Sequence, residues 1–393
     1  MGQYGFQRFP HGGLAFFPPC VISIILQFFR KDMSVIDLLA PARFGALELS
    51  NRVVMSSLTR CRAGDGNVPT SLMAEYYRQR AAVGLILSEA SPICAAGHGY
   101  PRTPGIHTAE QVAGWKQVTA AVHEAGGRIA LQLWHVGRIS HPALQPGGAL
   151  PVAPSAIRPA GQVFTGSDMQ DYVTPRALET DELPGLVEDY AEAARNAMAA
   201  GFDAVEVHAG NGYLLDQFLR SSSNQRTDAY GGSQANRARL LLEVMQAVCE
   251  AVGSARVGVR LSPVTSANGL SDDDPQGLFE YVVAQLNAFD LAFLDILRGT
   301  GGAPQEAWVP FDYARLRALY RGNLILNNAY DFASAQAALQ AGEADAVAFG
   351  RLLLANPDLV ERFRRGAPLN VPDYQTFYAG EAKGYTDYPV LAG

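Results

Sequence analysis

Short aliphatic or β-branched runs recur along the chain, and each is followed by a stretch whose apolar residues return every three or four positions. The first pattern suits strands covered on both faces, and the second suits helices with one apolar side. Their alternation predicts a parallel sheet built from βα units. The strand-like runs are Arg52–Ser57, Leu85–Ala90, Arg128–Leu133, Ala204–His208, Val257–Leu261, Leu291–Leu297, Leu324–Asn327 and Ala346–Gly350. The helical stretches include Glu110–Glu124, Glu182–Ala200, Asn236–Val252, Pro275–Ala288, Tyr313–Arg321 and Phe332–Ala341. Several stop at a glycine (Gly126, Gly201, Gly253 and Gly342), as helices ending in a left-handed residue do.

Eight such units predict an α/β fold of the TIM (β/α)8 barrel type rather than a doubly wound sheet. No G-x-G-x-x-G follows the first strand, which removes the main support for a dinucleotide-binding domain of the second kind. The link from Trp134 to about Thr180 is far longer than an ordinary βα connection and rich in Pro and Gly. Placed after strand three on the catalytic face, it is expected to cap the site.

The start of the chain follows different rules. Leu14 to Phe29 is apolar but interrupted by Pro18-Pro19, too short and broken to span a membrane comfortably, and it lacks a clear basic leader and cleavage site. Residues 1–32 are read as a tail, with a weak signal or anchor as the alternative, and 33–393 as a single barrel domain.

With 393 residues and 48% hydrophobic content the chain can bury one large barrel or two ordinary domains, so composition leaves that choice to the pattern. A net charge of −7 with dispersed basic residues gives no footprint for nucleic acid, and small molecules become the expected partners. The four cysteines, Cys20, Cys61, Cys94 and Cys249, include no C-x-x-C; neither an iron–sulfur cluster nor a disulfide framework is indicated. A cytoplasmic protein without stable membrane insertion is expected, either monomer or homodimer.

In a TIM barrel the chemistry sits at the C-terminal ends of the strands. There the sequence places Ser56-Ser57-Leu58-Thr59-Arg60, Glu89-Ala90, Gln132-Leu133-Trp134-His135, His208, Arg260 and Gly350-Arg351. Taken singly, each has an ordinary structural explanation as a cap, a satisfied amide or an ion pair. Together, the hydroxyl of Thr59, the amide of Gln132 and the fixed cation of Arg260 match a flat heterocycle of alternating acceptors and donors, such as a flavin. A cation at its N1–C2 edge would stabilise the reduced ring. Asn327-Asn328-Ala329-Tyr330 and Phe349-Gly350-Arg351 follow the last two strands, where barrels often hold phosphate; an ordinary turn at the asparagine pair is the alternative.

The fourth strand runs into H-A-G-N-G-Y at 208–213. If the backbone turns helically there, His208 and Asn211 share a face and can converge on one acceptor oxygen, with Tyr213 following as a proton donor. That is what reduction of a polarised double bond needs. On this pattern alone, a satisfied strand-end histidine is the commoner outcome.

Longer motifs carry a resemblance to the old yellow enzyme family of FMN-dependent ene-reductases, in particular its classical, N-ethylmaleimide reductase-like branch. It covers about residues 33–390 and rests on S-L-T-R at 57–60, L-Q-L-W-H-V-G-R at 131–138 and H-A-G-N-G-Y-L-L-D-Q-F-L at 208–219. It rests also on S-N-Q-R-T-D-A-Y-G-G-S at 223–233, N-R-A-R at 236–239 and A-F-G-R-L-L-L-A-N-P-D-L at 348–359. The resemblance implies non-covalent FMN, NADPH as reductant and no metal. It implies flavin contacts from Ser57, Thr59, Ala90, Gln132 and Arg260, and phosphate contacts from Asn328, Ala329, Gly350 and Arg351. His208 and Asn211 would bind the substrate oxygen, Tyr213 would protonate the α-carbon, and Tyr100, Trp134, Phe377 and Tyr378 would be pocket aromatics. The substrates implied are enones, maleimides, nitro compounds or nitrate esters.

Two departures stand out: Ser56-Ser57 where relatives commonly carry Ala-Pro or Pro-Pro, and Asn328-Ala329 where they often have Gly-Gly. Cys61 lies two positions beyond Thr59 rather than in its place. Rival readings are a metal-dependent hydrolase using Glu89, His135 and His208, a Schiff-base aldolase, and a non-catalytic flavin or steroid binder. The lysines Lys31, Lys116 and Lys383 all lie away from strand ends, which weakens the second.

Overall fold

Eight parallel strands close into a barrel, each pairing with the next in sequence and the last with the first. The computed structural model describes residues 36–300 and 309–392; the expected tail at 1–32 lies outside them. The strands are β1 (Val53–Met55), β2 (Leu85–Pro92), β3 (Ile129–Trp134), β4 (Ala204–Ala209), β5 (Val257–Leu261), β6 (Phe293–Leu297), β7 (Leu324–Asn327) and β8 (Ala346–Phe349). All eight expected strands are present, with ends displaced by a few residues.

Alternation along each strand sorts side chains between two cores. Val205, Val207 and Ala209 of β4 face outward into the layer beneath the helices, while Ala204 faces the barrel interior with Val54, Leu85, Leu87, Ala130, Phe293 and Ile325. The outer layer is covered by α1 (Ser71–Gln79), α2 (Ala109–Glu124), α3 (Leu183–Ala199), α5 (Gln234–Val252), α6 (Pro275–Leu286), α7 (Tyr313–Leu319) and α8 (Phe332–Gln340); the short α4 (Leu214–Leu219) follows β4 directly. Side-chain caps start them where the sequence supplies Ser, Thr or Asp. Thr108 and Gln111 form a reciprocal box at α2, and Asp274 with Pro275 opens α6. The four glycines read as stops all have positive φ.

The N-terminal ends of the strands are plugged by an antiparallel hairpin, Ala42–Phe44 with Leu47–Leu49, whose Phe44, Leu47 and Leu49 join the interior core. At the other end, the long link after β3 forms a second hairpin, Gln162–Phe164 with Met169–Asp171, anchored where Val152–Ala153 pairs with Arg176–Ala177. It lies over the mouth of the barrel, the capping role expected of it. After β8 come α9 (Arg351–Ala355) and α10 (Leu359–Arg365).

The C-terminal segment also lines the mouth, held by buried guanidiniums that bond its carbonyls. Arg60 donates to Phe377 and Gly384, Arg62 to Thr376, Ala379 and Glu381, and Arg80 to Tyr385. Tyr385 stacks on Tyr76 at a centroid distance of 4.0 Å beneath this strap. Among the described residues, no helix is long and apolar enough to cross a membrane.

Candidate active site

A cavity of about 1210 Å³ opens at the C-terminal ends of the strands. It exceeds the usual span for one small ligand and leaves room for a ring cofactor with a second flat molecule against it. Ser57, Thr59, Tyr100, Asn211, Tyr213, Arg260, Asn328, Ala329, Gly350, Arg351, Phe377 and Tyr378 line it, twelve of the expected site residues in one place. Ala90, Gln132, Trp134 and His208 are buried immediately behind that wall. Trp134, expected as a pocket aromatic, instead backs one: it stacks on Tyr100 at 5.6 Å and packs edge-to-face with Tyr213 at 4.9 Å.

The loop after β4 is shaped differently from the helical turn expected. Asn211 has φ 56° and Gly212 φ 80°, and α4 begins only at Leu214. Asparagine tolerates the left-handed region, and a Cβ at Gly212 would lie 2.6 Å from the carbonyl oxygen of Ala267. The turn is pinned on every side: Ser262 Oγ accepts from the Asn211 N–H (2.6 Å), Asp216 accepts from Gly212 (3.0 Å), and Gln217 donates to the Gly212 carbonyl (2.8 Å). Asp216 is itself fixed by a buried pair with Arg220 (2.7 Å). The D-Q of the sequence motif therefore braces the loop that presents Asn211 and Tyr213.

The Tyr213 hydroxyl lies 3.2 Å from that of Tyr100, and its ring lies 5.2 Å from His208. Burial raises its pKa to about 12, partly offset by the bond to Tyr100, so the phenol stays protonated at neutral pH. Burial first and Arg260 second hold His208 well below its ordinary value, leaving a neutral imidazole whose Nδ1 is buried without a partner. The Asn211 side-chain amide bonds no group among the described residues, while Asn268 donates to the Asn211 backbone carbonyl (2.8 Å). Neither Asn268 nor Ser262 stands out in the sequence; Ser262 follows directly on the end of β5, two positions beyond Arg260.

On the neighbouring strand, Arg260 pairs in register with His208; its Nη1 bonds Ser56 Oγ and Asp295 Oδ2, both at 3.3 Å, while its Nε is buried without a partner among the described residues. Ser56, one of the departures from relatives, also accepts from Asn327 (2.8 Å). Ser57, the other, donates to Gln132 (2.7 Å), whose Nε2 donates to Glu206 (2.6 Å).

The segment after β7 adopts its turn without glycine: Asn328 has φ 89° and Ala329 φ 61°. The Asn328 side chain secures it by donating to the carbonyl of Arg298 (2.8 Å). Arg351 beside it is exposed and forms no ion pair within the described residues. Three arginines and no acid line the cavity, a donor set for an anion-bearing heterocycle. FMN fits that set: Arg260, which has an unpartnered buried guanidinium nitrogen, lines the cavity where the ring edge is expected, and Arg351, without an ion pair among the described residues, lines it where the phosphate is expected.

The rival hydrolase set is not assembled. Glu89 faces the outer side of β2, where it accepts from the Arg60 backbone and Tyr77, and no three metal-ligating side chains converge among the described residues.

Comparison with known proteins agrees with this geometry. The family model for the NADH:flavin oxidoreductase / NADH oxidase family matches residues 37–370. A probable flavin mononucleotide-dependent alkene reductase of Leishmania infantum is 46% identical over 366 residues, covering 91% of this chain and 98% of the relative. The 12-oxophytodienoate reductase 1 of Oryza sativa subsp. japonica is 44% identical, covering 91% and 94%. Among solved structures, morphinone reductase in complex with tetrahydroNAD superposes with a TM-score of 0.86 at 50% identity, covering 91% and 98%. The old yellow enzyme homologue of Zymomonas mobilis superposes at 0.87 with 45% identity, covering 90% and 100%. With its eightfold barrel and a cavity suited to flavin, the chain belongs to the FMN-dependent NADH:flavin oxidoreductase / NADH oxidase family, among the old yellow enzyme-like proteins.

Proposed function

We propose that this protein reduces activated C=C bonds, in enones and maleimides and also in nitro compounds or nitrate esters, with NADPH as electron source and non-covalent FMN. We read it as a cytoplasmic enzyme acting on small molecules, as monomer or homodimer. The observation that carries this reading is the convergence on one cavity of a protonated phenol, an amide donor and an arginine with an unpartnered buried nitrogen.

Ser57, Thr59, Ala90, Gln132 and Arg260 would hold the flavin ring, and Asn328, Ala329, Gly350 and Arg351 its phosphate. When bound and reduced by the nicotinamide coenzyme, FMN supplies hydride to the alkene β-carbon. His208 and Asn211 hold the oxygen of the substrate's electron-withdrawing group, where negative charge develops; each such donor contributes on the order of 3 kcal/mol to lowering the barrier. Both are neutral, so they polarise without transferring a proton. Tyr213 keeps its proton at neutral pH and gives it to the α-carbon, oriented by Tyr100 and by its edge-to-face contact with Trp134. Phe377 and Tyr378 close over the substrate from the C-terminal strap.

Rapid mixing of FMN-loaded Tyr213→Phe separates the steps. Bleaching by NADPH is expected to be unchanged, and reoxidation by an enone to slow by roughly 10²-fold or more. Equal rates in both half-reactions would remove Tyr213 as the acid. FMN-loaded wild-type protein that neither bleaches with NADPH nor turns over N-ethylmaleimide would be a non-catalytic flavin binder.

A further inference from the structure

Two carboxyls of the barrel interior take no part in the reaction just described. Glu206 of β4 and Asp295 of β6 are both fully buried, between the apolar plug below and the cavity above. Glu206 Oε2 accepts from Gln132 Nε2 at 2.6 Å; Asp295 Oδ2 accepts from Arg260 at 3.3 Å and Asn327 at 3.5 Å. The remaining oxygens, Glu206 Oε1 and Asp295 Oδ1, receive no N–H or O–H among the described residues. The two carboxyls lie close enough to interact directly. An ionised carboxylate only accepts, so two can bond only if one of them carries a proton.

Every element around the pair supports that count. Arg260 of β5 is the one cation facing it among the described residues, and His208, two residues along β4, is held neutral. Strands β1, β3 and β7 present only the neutral Ser56, Gln132 and Asn327, and β2 and β8 present Ala90 and Ala348. With both carboxyls ionised the layer would carry net negative charge in a water-excluded core; with one proton retained it is neutral. Burial, then the neighbouring Asp295, push Glu206 up to about 8 against the pull of Arg260, so the proton persists at neutral pH.

We infer that Glu206 and Asp295 share a single proton and act as positioning residues, setting through Gln132 and Arg260 the charge and orientation of the edge that meets the flavin. The second half rests on the flavin reading above. Loss of the shared proton adds a negative charge behind Arg260, which opposes an anionic reduced ring. The flavin potential then falls more steeply with pH than it would beside a fixed charge.

The test uses Glu206→Gln, which keeps an N–H for Asp295 but cannot ionise. Infrared difference spectra in H2O and D2O should show a deuterium-sensitive carboxylic-acid band at neutral pH, one component of which is absent in the variant. Glu89, outside the barrel, keeps its own component. The FMN midpoint potentials of wild type and variant should coincide near neutrality and diverge in alkali, the wild type falling faster.

Should Glu206→Gln not fold, Asp295→Asn provides the second arm. It makes Glu206 the sole counterion of Arg260, so the same band component disappears. An unchanged acid band in either variant, or identical pH slopes of potential, would overturn the inference. Protein that carries the band but retains no FMN upholds the proton pair and overturns the flavin reading instead.

Discussion

The two ends of the barrel interior are built from the same eight strands and obey opposite rules. At the N-terminal end, Val54, Leu85, Leu87, Phe293 and Ile325 meet the hairpin plug of Phe44, Leu47 and Leu49, with no polar atom to satisfy. Two or three residues further along, Ser56, Gln132, Glu206, His208, Arg260, Asp295 and Asn327 crowd the same axis. Several of their atoms, including Arg260 Nε and His208 Nδ1, are left without partners. Buried groups without partners cost free energy, and such sites persist where a ligand or a reaction uses them. Stability is therefore concentrated at one end and chemistry at the other.

The division can be broken most severely from below. Phe293 fills the space over Gly258, where a Cβ would lie 2.2 Å from its ring. Phe293→Ala should cost about 3 to 5 kcal/mol in urea unfolding while leaving the turnover of the folded fraction intact. A comparable loss of turnover would mean that the two ends are not separable.

At the mouth the signs reverse. His208→Ala should slow the alkene half-reaction by an amount on the order of 3 kcal/mol, with unfolding free energy unchanged or raised, because a buried nitrogen without a partner is removed. Stopped-flow and urea unfolding on the same sample check both halves of that statement.

The carboxylate pair sharpens the comparison through pH. Its Glu206 has a folded pKa raised from 4.5 to about 8, so the native state binds the extra proton. The stabilisation that this gives is fully present below the ordinary value and is lost as pH rises through about 8. Wild-type stability should therefore decline across that window, and Glu206→Gln should flatten the decline in denaturant midpoints.

The smallest effect belongs to the turn after β7. Ala329 at φ 61° carries the left-handed strain that glycine avoids, and Ala329→Gly should stabilise the protein by roughly 1 kcal/mol in thermal unfolding.

The same contrast explains what could be read in the chain. The barrel was legible because parallel strands buried on both faces leave continuous apolar runs, and Leu324–Asn327 and Val257–Leu261 match the structure to the residue. Helix α1 was passed over because its buried side is Met73, Tyr76 and Tyr77 rather than an aliphatic stripe. The two hairpins were missed because strands of three residues show no period.

In the site, His208, Asn211 and Tyr213 were legible as adjacent donors, but the left-handed turn that aims them was not, since tertiary bonds from Ser262 and Asp216 impose it. Alternation in A-V-E-V-H does place Glu206 on the face of His208. No local pattern says that Asp295, two strands away, meets it, because barrel closure creates that contact.

The claim that this cavity passes reducing equivalents from a nicotinamide coenzyme to an alkene is tested most directly by anaerobic titration of the FMN-loaded protein. One equivalent of NADPH should bleach the flavin, and one equivalent of N-ethylmaleimide should restore its colour with formation of the saturated succinimide. Flavin that stays bleached in the presence of the alkene would contradict the account.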